Sequence, residues 1–439
     1  MIEIDARLDE LSEFGLRRRL RLISGPQGPR VILDGRPVLL LCSNNYLGLA
    51  DHPRVREAAA DAAMRWGVGA GASRLVSGSM TIHRRLEERL AAFERTGAAL
   101  LFGSGYLANL GVVSALAGRG DVVFSDELNH ASIVDGCRLS RAETFVYRHG
   151  DVEHLAWGLQ EAGGRGALIV TDGVFSMDGD IAPLAEIVEL ARAYDVRVVV
   201  DEAHGTGALG PGGRGAVAEA DLDGEVDVVV GTLGKALGSY GAYVCCEPRM
   251  RDFLVNSARP FIFSTAPPPP AVAGALAALD LLEEEPRRVE KLQHNADVLR
   301  AELAREGFEV AGSTTQIIPL IVGDADQAMR ICEAGIERGV FAQAIRPPTV
   351  PHGTSRLRLA VMSSHRKSEL RDAAQALARA ALACGFRPGT GMAVAEATAR
   401  ASARDAGDAP REAEAPPRRA RAAADGSTAF FDGEAPLAA

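Results

Sequence analysis

A lysine in a glycine-rich segment is the residue of this chain whose surroundings best suit covalent chemistry. Lys235 lies in the segment Gly-Thr-Leu-Gly-Lys-Ala-Leu-Gly (residues 231–238), directly after the apolar run 226–230. Glycines let a ligand approach the backbone closely, and a lysine amine that loses part of its hydration becomes a nucleophile at neutral pH. Taken alone, such a lysine is more often an ordinary surface residue in a turn.

An acid at the end of a second apolar run changes this interpretation. The run 196–200 ends in Asp201-Glu202-Ala203-His204-Gly205. In open α/β sheets ligands bind at the carboxyl ends of the strands, so we expect Asp201 and Lys235 at the same edge. A carboxylate there could bind a sugar hydroxyl, a metal ion or a protonated ring nitrogen. The pair favours the ring nitrogen, because pyridoxal phosphate needs both a Schiff-base lysine and an acid at its pyridinium nitrogen.

Three further segments carry groups that suit such a site, and the last two of them follow predicted strands of the same sheet. Residues 101–109 combine small residues with a helical pattern, and the backbone N–H groups at the start of that helix could bind a phosphate. The segment 129–132 offers the imidazole of His130, and the segment 173–179 offers a hydroxyl. The phosphate signal of 101–109 is weak by itself, whereas the other two segments each follow a predicted strand.

Strands and helices must position these residues. From about residue 98 onward, β-rich runs alternate with helical stretches, and this alternation predicts βαβ units and a largely parallel sheet. Most of the predicted strands are continuous apolar runs, as expected for strands covered on both faces. They lie at residues 121–125, 167–171, 196–200, 226–230 and 241–246. The pattern 183–194 predicts a crossover helix, since it opens with a proline and repeats apolar residues near a 3.6-residue period.

The pattern changes near the prolines at 267–270, which precede a long helical stretch that reaches about Arg305. We therefore predict four parts: an N-terminal arm at 1–45, a large cofactor-binding α/β domain at 46–270, a small α+β domain at 271–387 and a disordered tail at 388–439. The tail is rich in Ala, Pro, Glu, Arg and Asp, so it cannot bury enough apolar surface to offset its ordering entropy.

The composition argues against several classes of partner. The chain has 58 acidic and 48 basic residues and a formal charge of -10. It lacks a basic stripe interleaved with aromatic residues, so we do not expect it to bind nucleic acid. Its acidic start does not resemble a secretory signal, and no apolar run approaches the roughly 18 residues of a membrane span. The six cysteines have no metal-ligand spacing. We expect a cytoplasmic protein with reduced cysteines and no metal site.

The glycine-rich stretch 67–78 could be mistaken for a dinucleotide-binding motif. It follows a helical pattern at 55–66 and not a strand, so it lacks the βαβ setting that such a motif requires. A nicotinamide cofactor is therefore not expected.

Six ordered segments together resemble the α-oxoamine synthases: 43–49, 103–106, 129–132, 173–180, 201–205 and 232–235. The resemblance covers about residues 10–387. It implies an α/β fold of the fold-type I pyridoxal-phosphate transferases, with a large mostly parallel-sheet domain and a smaller α+β C-terminal domain. Enzymes of this family condense an amino acid with an acyl thioester and release carbon dioxide.

The resemblance also implies roles for individual residues around pyridoxal 5'-phosphate. Lys235 would carry the cofactor as a Schiff base and then remove the α-proton of the amino acid, and Asp201 would keep the ring nitrogen protonated. His130 would stack on the ring. The remaining cofactor contacts would be made by Ser176 and His204 at the phenolic oxygen, and by Thr232, Gly105 and Tyr106 elsewhere, including the phosphate.

The implied substrate contacts are Arg358 for the amino-acid carboxylate, and Thr349, His130 and Arg17. Arg17 belongs to the basic run 17–19, so a neighbouring arginine could take its place. Segments 316–324 and 344–358 are most similar to the biotin-pathway member, which joins L-alanine to a pimeloyl thioester of CoA or acyl-carrier protein.

Two alternatives to the biotin-pathway reaction stay open. One is another member of the family, such as the ligase that uses glycine and acetyl-CoA. The other is a non-catalytic scaffold subunit, which Lys235 argues against. The resemblance further implies a homodimer with active sites between subunits.

Overall fold

The computed structural model describes residues 3–310 and 312–389. The strands are β1 (Ile23–Ser24), β2 (Arg30–Leu33), β3 (Arg36–Leu40), β4 (Ala98–Phe102), β5 (Val122–Asp126), β6 (Glu143–Tyr147), β7 (Gly166–Asp172), β8 (Arg197–Asp201), β9 (Val228–Thr232), β10 (Ala242–Cys246), β11 (Ile317–Gly323), β12 (Val340–Phe341), β13 (Gln343–Ile345) and β14 (Ser355–Ala360).

The helices are α1 (Ile4–Glu13), α2 (Pro53–Trp66), α3 (Thr81–Phe93), α4 (Gly105–Leu116), α5 (Ala131–Ser140), α6 (Val152–Glu161), α7 (Leu184–Tyr194), α8 (Ala216–Glu219), α9 (Pro248–Ser257), α10 (Arg259–Ile262), α11 (Pro269–Glu284), α12 (Arg287–Arg305), α13 (Ala325–Glu337) and α14 (Lys367–Ala383). Most of the segment 388–439, whose composition predicts a disordered tail, lies outside the described residues.

A seven-stranded sheet forms the centre of the large domain, in the order β4-β10-β9-β8-β7-β5-β6. Strand β10 runs antiparallel to both of its neighbours, and the other pairings are parallel. The predicted α/β class with a mostly parallel sheet is therefore confirmed. Parallel strands place their carboxyl ends along one edge, which brings the ends of β7, β8 and β9 together.

Both faces of this sheet are buried against helices. Along β7, Leu168 and Val170 pack into one apolar cluster with helix α4, whereas Ile169 between them packs into the main core on the opposite face. Successive side chains of a strand point to opposite faces, so a strand covered on both sides needs apolar residues at every position. This is why the central strands are continuous apolar runs in the sequence.

Two smaller sheets lie outside the large one. Strands β11, β14 and β13 form an antiparallel sheet, and β1, β2, β3 and β12 form the other, in which β3 and β12 are parallel. The N-terminal strands 23–40 thus pair with the C-terminal part of the chain. The boundaries at 45, 270 and 387 stay predictions.

The long stretch predicted to be helical up to about residue 305 is helical in the structure. It consists of α11 and α12, which are separated at Glu285 and Pro286. Proline has no N–H to donate to the preceding turn, and its ring disfavours a helical conformation of the residue before it, so the first helix ends there. Among the described residues, no helix is both long and apolar enough to cross a membrane.

Candidate active site

Five of the residues that the sequence analysis singled out line one cavity of about 250 Å³, namely His130, Ser176, His204, Lys235 and Arg358. They come from loops that follow β5, β7, β8 and β9, and from β14 of the small antiparallel sheet. The carboxyl edge of the large sheet and the C-terminal part of the chain therefore meet at this cavity.

A tight turn after β9 holds Lys235. The N–H of Leu233 donates to the carbonyl of Gly241 at 2.9 Å, and the N–H of Gly238 donates to the carbonyl of Lys235 at 2.9 Å. Gly238 has a φ of +59°, and a Cβ there would lie 2.4 Å from the backbone nitrogen of Ala50. This position requires glycine, because any side chain would collide with that backbone.

The amine of Lys235 contacts a neutral imidazole. Its Nζ lies 2.8 Å from Nε2 of His204, whose Nδ1 lies 2.6 Å from the hydroxyl of Tyr46. Burial, with the positive charge of Lys235 next, holds the pKa of His204 well below its ordinary value. His204 can therefore accept a hydrogen bond from the amine through Nε2 and donate one to Tyr46 through Nδ1.

Burial also makes Lys235 less basic. Loss of hydration lowers the pKa of its amine to about 8; the carboxylate of Asp201 opposes this shift, and the guanidinium of Arg358 adds to it. A neutral amine is the form that attacks a carbonyl or accepts a proton. About a tenth of the amine would thus be reactive at pH 7.

Asp201 is buried at the end of β8 and is held from two sides. Its Oδ2 accepts a hydrogen bond from the side-chain amide of Asn109 at 2.6 Å, and its Oδ1 accepts one from the N–H of Ala203 at 2.8 Å. Asp172 lies beside it in register on β7. Burial, and then the charge of Asp201, raises the pKa of Asp172 well above its ordinary value, which favours the neutral form of Asp172.

The start of helix α4 has free hydrogen-bond donors. Ser104 caps the helix by accepting from the N–H of Leu107 at 3.2 Å, whereas the N–H groups of Gly105 and Tyr106 have no acceptor within the described ranges. The space that a Cβ of Gly105 would point into is open to at least 4 Å. Free N–H groups with open space at a helix N-terminus suit a phosphate.

These groups fit pyridoxal phosphate. Lys235 offers an amine for the aldehyde carbon, Asp201 a carboxylate for the ring nitrogen, and the start of α4 two donors for the phosphate. His130 and Ser176 line the same cavity. Thr232 ends β9, where its hydroxyl donates to the carbonyl of Gly241 at 3.2 Å. The roles of these residues toward the cofactor stay proposals.

The guanidinium of Arg358 lies at the cavity wall, where it donates to neutral oxygens. It donates to the backbone carbonyl of Ser176, to Oδ1 of Asn44 at 3.2 Å and to the hydroxyl of Tyr46 at 3.4 Å. Within the described part of the chain, no carboxylate pairs with it. A buried guanidinium held only by neutral oxygens is ready to bind a carboxylate.

Arg17 and Thr349 lie apart from Lys235. Both line a second cavity of about 750 Å³, whose wall shares Gln343 and Ile345 with the first. The two predicted substrate contacts thus line a cavity that shares part of β13 with the Lys235 cavity.

A charged histidine, His149, holds the loop that carries Ser176 in place. His149 lies 3.0 Å from Oδ1 of Asp126 and 2.7 Å from Oδ2 of Asp180, and its ring packs edge-on against Phe175 at 4.4 Å. Burial opposes the charged form, but the two carboxylates outweigh it and raise the pKa of His149 to about 10. The imidazolium therefore joins the end of β5 to the Ser176 loop.

Replacement of this histidine should destabilise the protein in a pH-dependent way. Because the folded-state pKa is raised above the unfolded value near 6.5, the contribution is complete below that pH and is lost as the pH rises through 10. We expect His149→Gln to lower the free energy of unfolding by about 2 kcal/mol at pH 6 and by less at pH 9. Thermal unfolding at both pH values measures the difference.

His294→Gln is the matched control, since His294 is exposed on α12. It should leave the melting temperature unchanged at both pH values. A loss for His149→Gln that is equal at pH 6 and pH 9 would contradict the ionic role.

Four further residues of the site were not singled out from the sequence: Asn44, Tyr46, Asn109 and Asp172. Asn44 and Tyr46 belong to a segment that carries the family resemblance, and Asn109 lies one turn into α4, on its buried side. A polar residue on the buried face of an apolar helix was the available signal for Asn109. Nothing in the local sequence marks the contact of Tyr46 with His204, which are 158 positions apart.

A protein-family model matches most of the chain. The model of the family described as aminotransferase class I and II matches residues 36–377.

Curated proteins named 8-amino-7-oxononanoate synthase are similar over most of their length. The protein of Geobacter sulfurreducens is 53% identical over 379 residues, which is 86% of this chain and 97% of that protein. The protein of Anaeromyxobacter dehalogenans is 56% identical over 362 residues, which is 82% of this chain and 91% of that protein.

Solved structures agree with the fold. A variant of serine palmitoyltransferase from S. paucimobilis, solved with a bound PLP–myriocin aldimine, superposes with a TM-score of 0.83 at 33% identity; the match covers 87% of this chain and 97% of that chain. An 8-amino-7-oxononanoate synthase from Francisella tularensis gives a TM-score of 0.68 at 27% identity and covers 78% of this chain and 97% of its own.

Proposed function

The chain belongs to the aminotransferase class I and II family, within it to the pyridoxal-phosphate-dependent α-oxoamine synthases, and we propose from this that it joins L-alanine to a pimeloyl thioester. The reaction releases a thiol and carbon dioxide and yields 8-amino-7-oxononanoate for biotin synthesis. One observation supports it above the others: a single cavity contains an amine of lowered pKa, a neutral histidine and an unpaired guanidinium.

Each of these groups has a task in that reaction. Arg358 binds the carboxylate of alanine, because it is buried and has no carboxylate partner in the described part of the chain. The neutral amine of Lys235 removes the α-proton, and His204 holds the amine by a hydrogen bond of 2.8 Å. Asp201 would keep a proton on the ring nitrogen of the cofactor when it is bound, and the hydrogen bond from Asn109 fixes the orientation of this carboxylate.

The remaining steps need one proton from water besides the two substrates. Pyridoxal phosphate, when bound, supplies an electron sink for the electron pair left at the α-carbon of the amino acid. The α-carbon forms a bond to the thioester carbonyl, the carbon–sulfur bond breaks, and the thiolate leaves and takes a proton from water. The bond to the alanine carboxylate then breaks and carbon dioxide leaves. Lys235 returns a proton to the α-carbon. The thiol is CoA or the pantetheine of acyl-carrier protein.

A matrix of substrates tests the proposal. Purified protein loaded with pyridoxal phosphate is assayed with L-alanine or glycine against pimeloyl-CoA, pimeloyl-acyl-carrier protein and acetyl-CoA. We expect kcat/KM to be highest for L-alanine with a pimeloyl thioester. A preference for glycine and acetyl-CoA would assign the chain to the other branch of the family. Loaded protein that turns over none of the pairs would support the scaffold alternative.

We further propose that the enzyme is a cytoplasmic homodimer, and an exposed apolar surface supports the dimer. Val68 and Val76 are 78% and 80% exposed, and Phe263 is also exposed. The backbone of Ala266 donates to the carbonyl of Ala72 at 3.0 Å, so these exposed side chains belong to neighbouring segments. Contiguous apolar patches on a protein surface are typical of protein–protein contacts.

A charged side chain introduced into this apolar surface should dissociate the dimer. We expect Val76→Glu to shift the mass in solution from two chains to one at micromolar concentration, because an unpaired carboxylate would be buried on association. Analytical ultracentrifugation measures the mass. The control is Leu382→Glu, an exposed leucine on α14, which should leave the mass unchanged. A wild-type mass of one chain would refute the dimer.

A further inference from the structure

A series of hydrogen-bonded side chains joins His130 to Asp201. Nδ1 of His130 lies 2.7 Å from the hydroxyl oxygen of Ser132. That oxygen lies 2.9 Å from Nδ2 of Asn109, which also lies 2.6 Å from Oδ2 of Asp201. Ser132 and Asn109 are completely buried, and Asp201 is 5% exposed. The series therefore connects the end of β8 to the start of α5 by way of helix α4.

The charge of Asp201 fixes the orientation of the Asn109 amide. An ionised carboxylate only accepts hydrogen bonds, so the atom of Asn109 that faces it at 2.6 Å must be the NH2 nitrogen. The opposite orientation would set two unprotonated oxygens against each other. The amide oxygen points away instead and has no partner among the described residues. Both hydrogens of the Asn109 amide are thus used, one for Asp201 and one for Ser132.

The hydroxyl of Ser132 passes this polarity on to His130. Its oxygen accepts from Asn109, so its single hydrogen is left for Nδ1 of His130. The backbone N–H of Ser132 points to the same Nδ1 at 3.3 Å. A ring nitrogen that faces two donors is the unprotonated one, so the proton of the neutral imidazole is on Nε2. Nε2 has no hydrogen-bond partner within residues 3–310 and 312–389, and the ring lines the Lys235 cavity.

The surroundings of His130 favour a neutral imidazole. Loss of hydration lowers the pKa of His130; the carboxylate of Asp201 opposes this shift, and the charge of Lys235 adds to it. The other titratable side chains that face the ring are uncharged, namely Asp172, His204 and Tyr106.

A neutral imidazole is required beside a cationic ring. In the proposed function His130 stacks on a pyridine ring that carries a proton, and an imidazolium in that place would be repelled by it. Protonation of Nδ1 would break the hydrogen bond from the Ser132 hydroxyl. This hydrogen bond therefore stabilises the form of His130 that the cofactor needs.

Resting on the proposed function, we propose that Ser132 is a positioning residue that, together with Asn109, transmits the negative charge of Asp201 to His130 and fixes that imidazole as its neutral Nε2–H tautomer. Ser132 is completely buried and acts only through His130. The carboxylate that serves the ring nitrogen of the cofactor would thus also set the protonation of the stacking imidazole.

Imidazole ¹⁵N chemical shifts test the tautomer without any turnover. The protein is labelled with ¹⁵N at its nine histidines and measured with and without pyridoxal phosphate. The signals of His130 are identified by their absence from His130→Gln. We expect the wild type to have an unprotonated Nδ1 and a protonated Nε2. In Ser132→Ala the two tautomers should coexist, because the hydroxyl that distinguishes them is gone.

Asp201→Asn should reverse the tautomer of His130. The new side-chain amide donates to Asn109, whose amide turns so that its oxygen accepts from both neighbours. The hydrogen of the Ser132 hydroxyl is then used for Asn109, and the hydroxyl oxygen must accept from Nδ1–H of His130. A role of Ser132 in packing alone predicts no such reversal.

The pH dependence of turnover gives a second readout. We expect Ser132→Ala to lower kcat/KM for L-alanine and pimeloyl-CoA by about tenfold at pH 6 and by less at pH 8, because the loss of one hydrogen bond raises the pKa of His130 by about one unit. Ser140→Ala is the matched control. It removes another buried serine hydroxyl of α5, which donates to the carbonyl of Cys137 at 2.7 Å, and it should change neither the tautomer nor the pH dependence.

The outcomes separate this role from the proposed function. A wild-type His130 that is cationic or protonated at Nδ1 would overturn the proposal, and so would Ser132→Ala with the wild-type tautomer and an equal loss at both pH values. If Ser132→Ala does not fold, Asp201→Asn decides, since an unreversed tautomer there contradicts the proposal. Wild-type protein with the Nε2–H tautomer that turns over neither pimeloyl donor would refute the proposed function and leave the role of Ser132 standing.

Discussion

Lys235→Ala is expected to lower turnover of L-alanine and pimeloyl-CoA by about 10⁴-fold, near the upper end of what a positioned proton-transfer group contributes. The variant lacks the group that takes the α-proton and the covalent attachment point of the cofactor. The side chain lines a cavity and caps no helix, so the fold should persist. Steady-state kinetics measure the loss, and thermal unfolding checks the fold.

A covalent readout makes this result specific. The chain has two other lysines, Lys291 and Lys367, both exposed on helices. After reduction with borohydride, wild-type protein should carry the cofactor on the peptide that contains Lys235, and Lys235→Ala should carry none. Lys291→Ala is the control and should behave as wild type. Cofactor fixed on another lysine, with turnover within tenfold of wild type, would rule out the assigned role.

Asp201→Asn is expected to lower kcat by about 10³-fold, which corresponds to the loss of one preorganised charge in a buried site. An amide cannot keep the ring nitrogen protonated, so the electron sink weakens. The site can otherwise accept the change. Asn109 now donates to Asp201, and its own Oδ1 has no partner within the described residues. A rotated Asn109 amide could accept a hydrogen bond from the new side chain.

The control for this substitution is Asp227, which lies next to the same two strands, β8 and β9. Asp227 precedes β9 at the opposite edge of the sheet and accepts a hydrogen bond from the N–H of Val198 at 2.8 Å. Asp227→Asn should leave kcat unchanged. Cofactor content and absorbance spectra show whether Asp201→Asn still binds the cofactor. A kcat within tenfold of wild type for Asp201→Asn would show that the ring nitrogen does not depend on this carboxylate.

The central strands were predictable because their sequence signal is local. Strands β7, β8 and β9 are covered on both faces, so each is a continuous apolar run that stands out against its neighbours. The strands β1–β3 were not predicted. Strand β2 alternates exposed and buried residues over only four positions, and β3 pairs with β12, about 300 residues away. Such a pairing leaves no trace in a short window of sequence.

A proline separates α11 from α12. The helical periodicity continues on both sides of Pro286, so periodicity alone does not show where the first helix ends. A proline inside a helical pattern either kinks the helix or ends it. Here two separate helices form.

The sequence by itself determined the fold class and the family. It also determined that Lys235 and Asp201 lie at one edge of the sheet, because a residue directly after a buried strand has its position set by that strand. Only the tertiary structure decided which distant groups surround them. The lowered pKa of Lys235 depends on burial and on Arg358, 123 positions further along the chain. The hydrogen bonds of Asn109 with Ser132 and Asp201 join elements that lie up to 92 positions apart. Burial and charge are properties of assembled elements, so local sequence patterns cannot determine them.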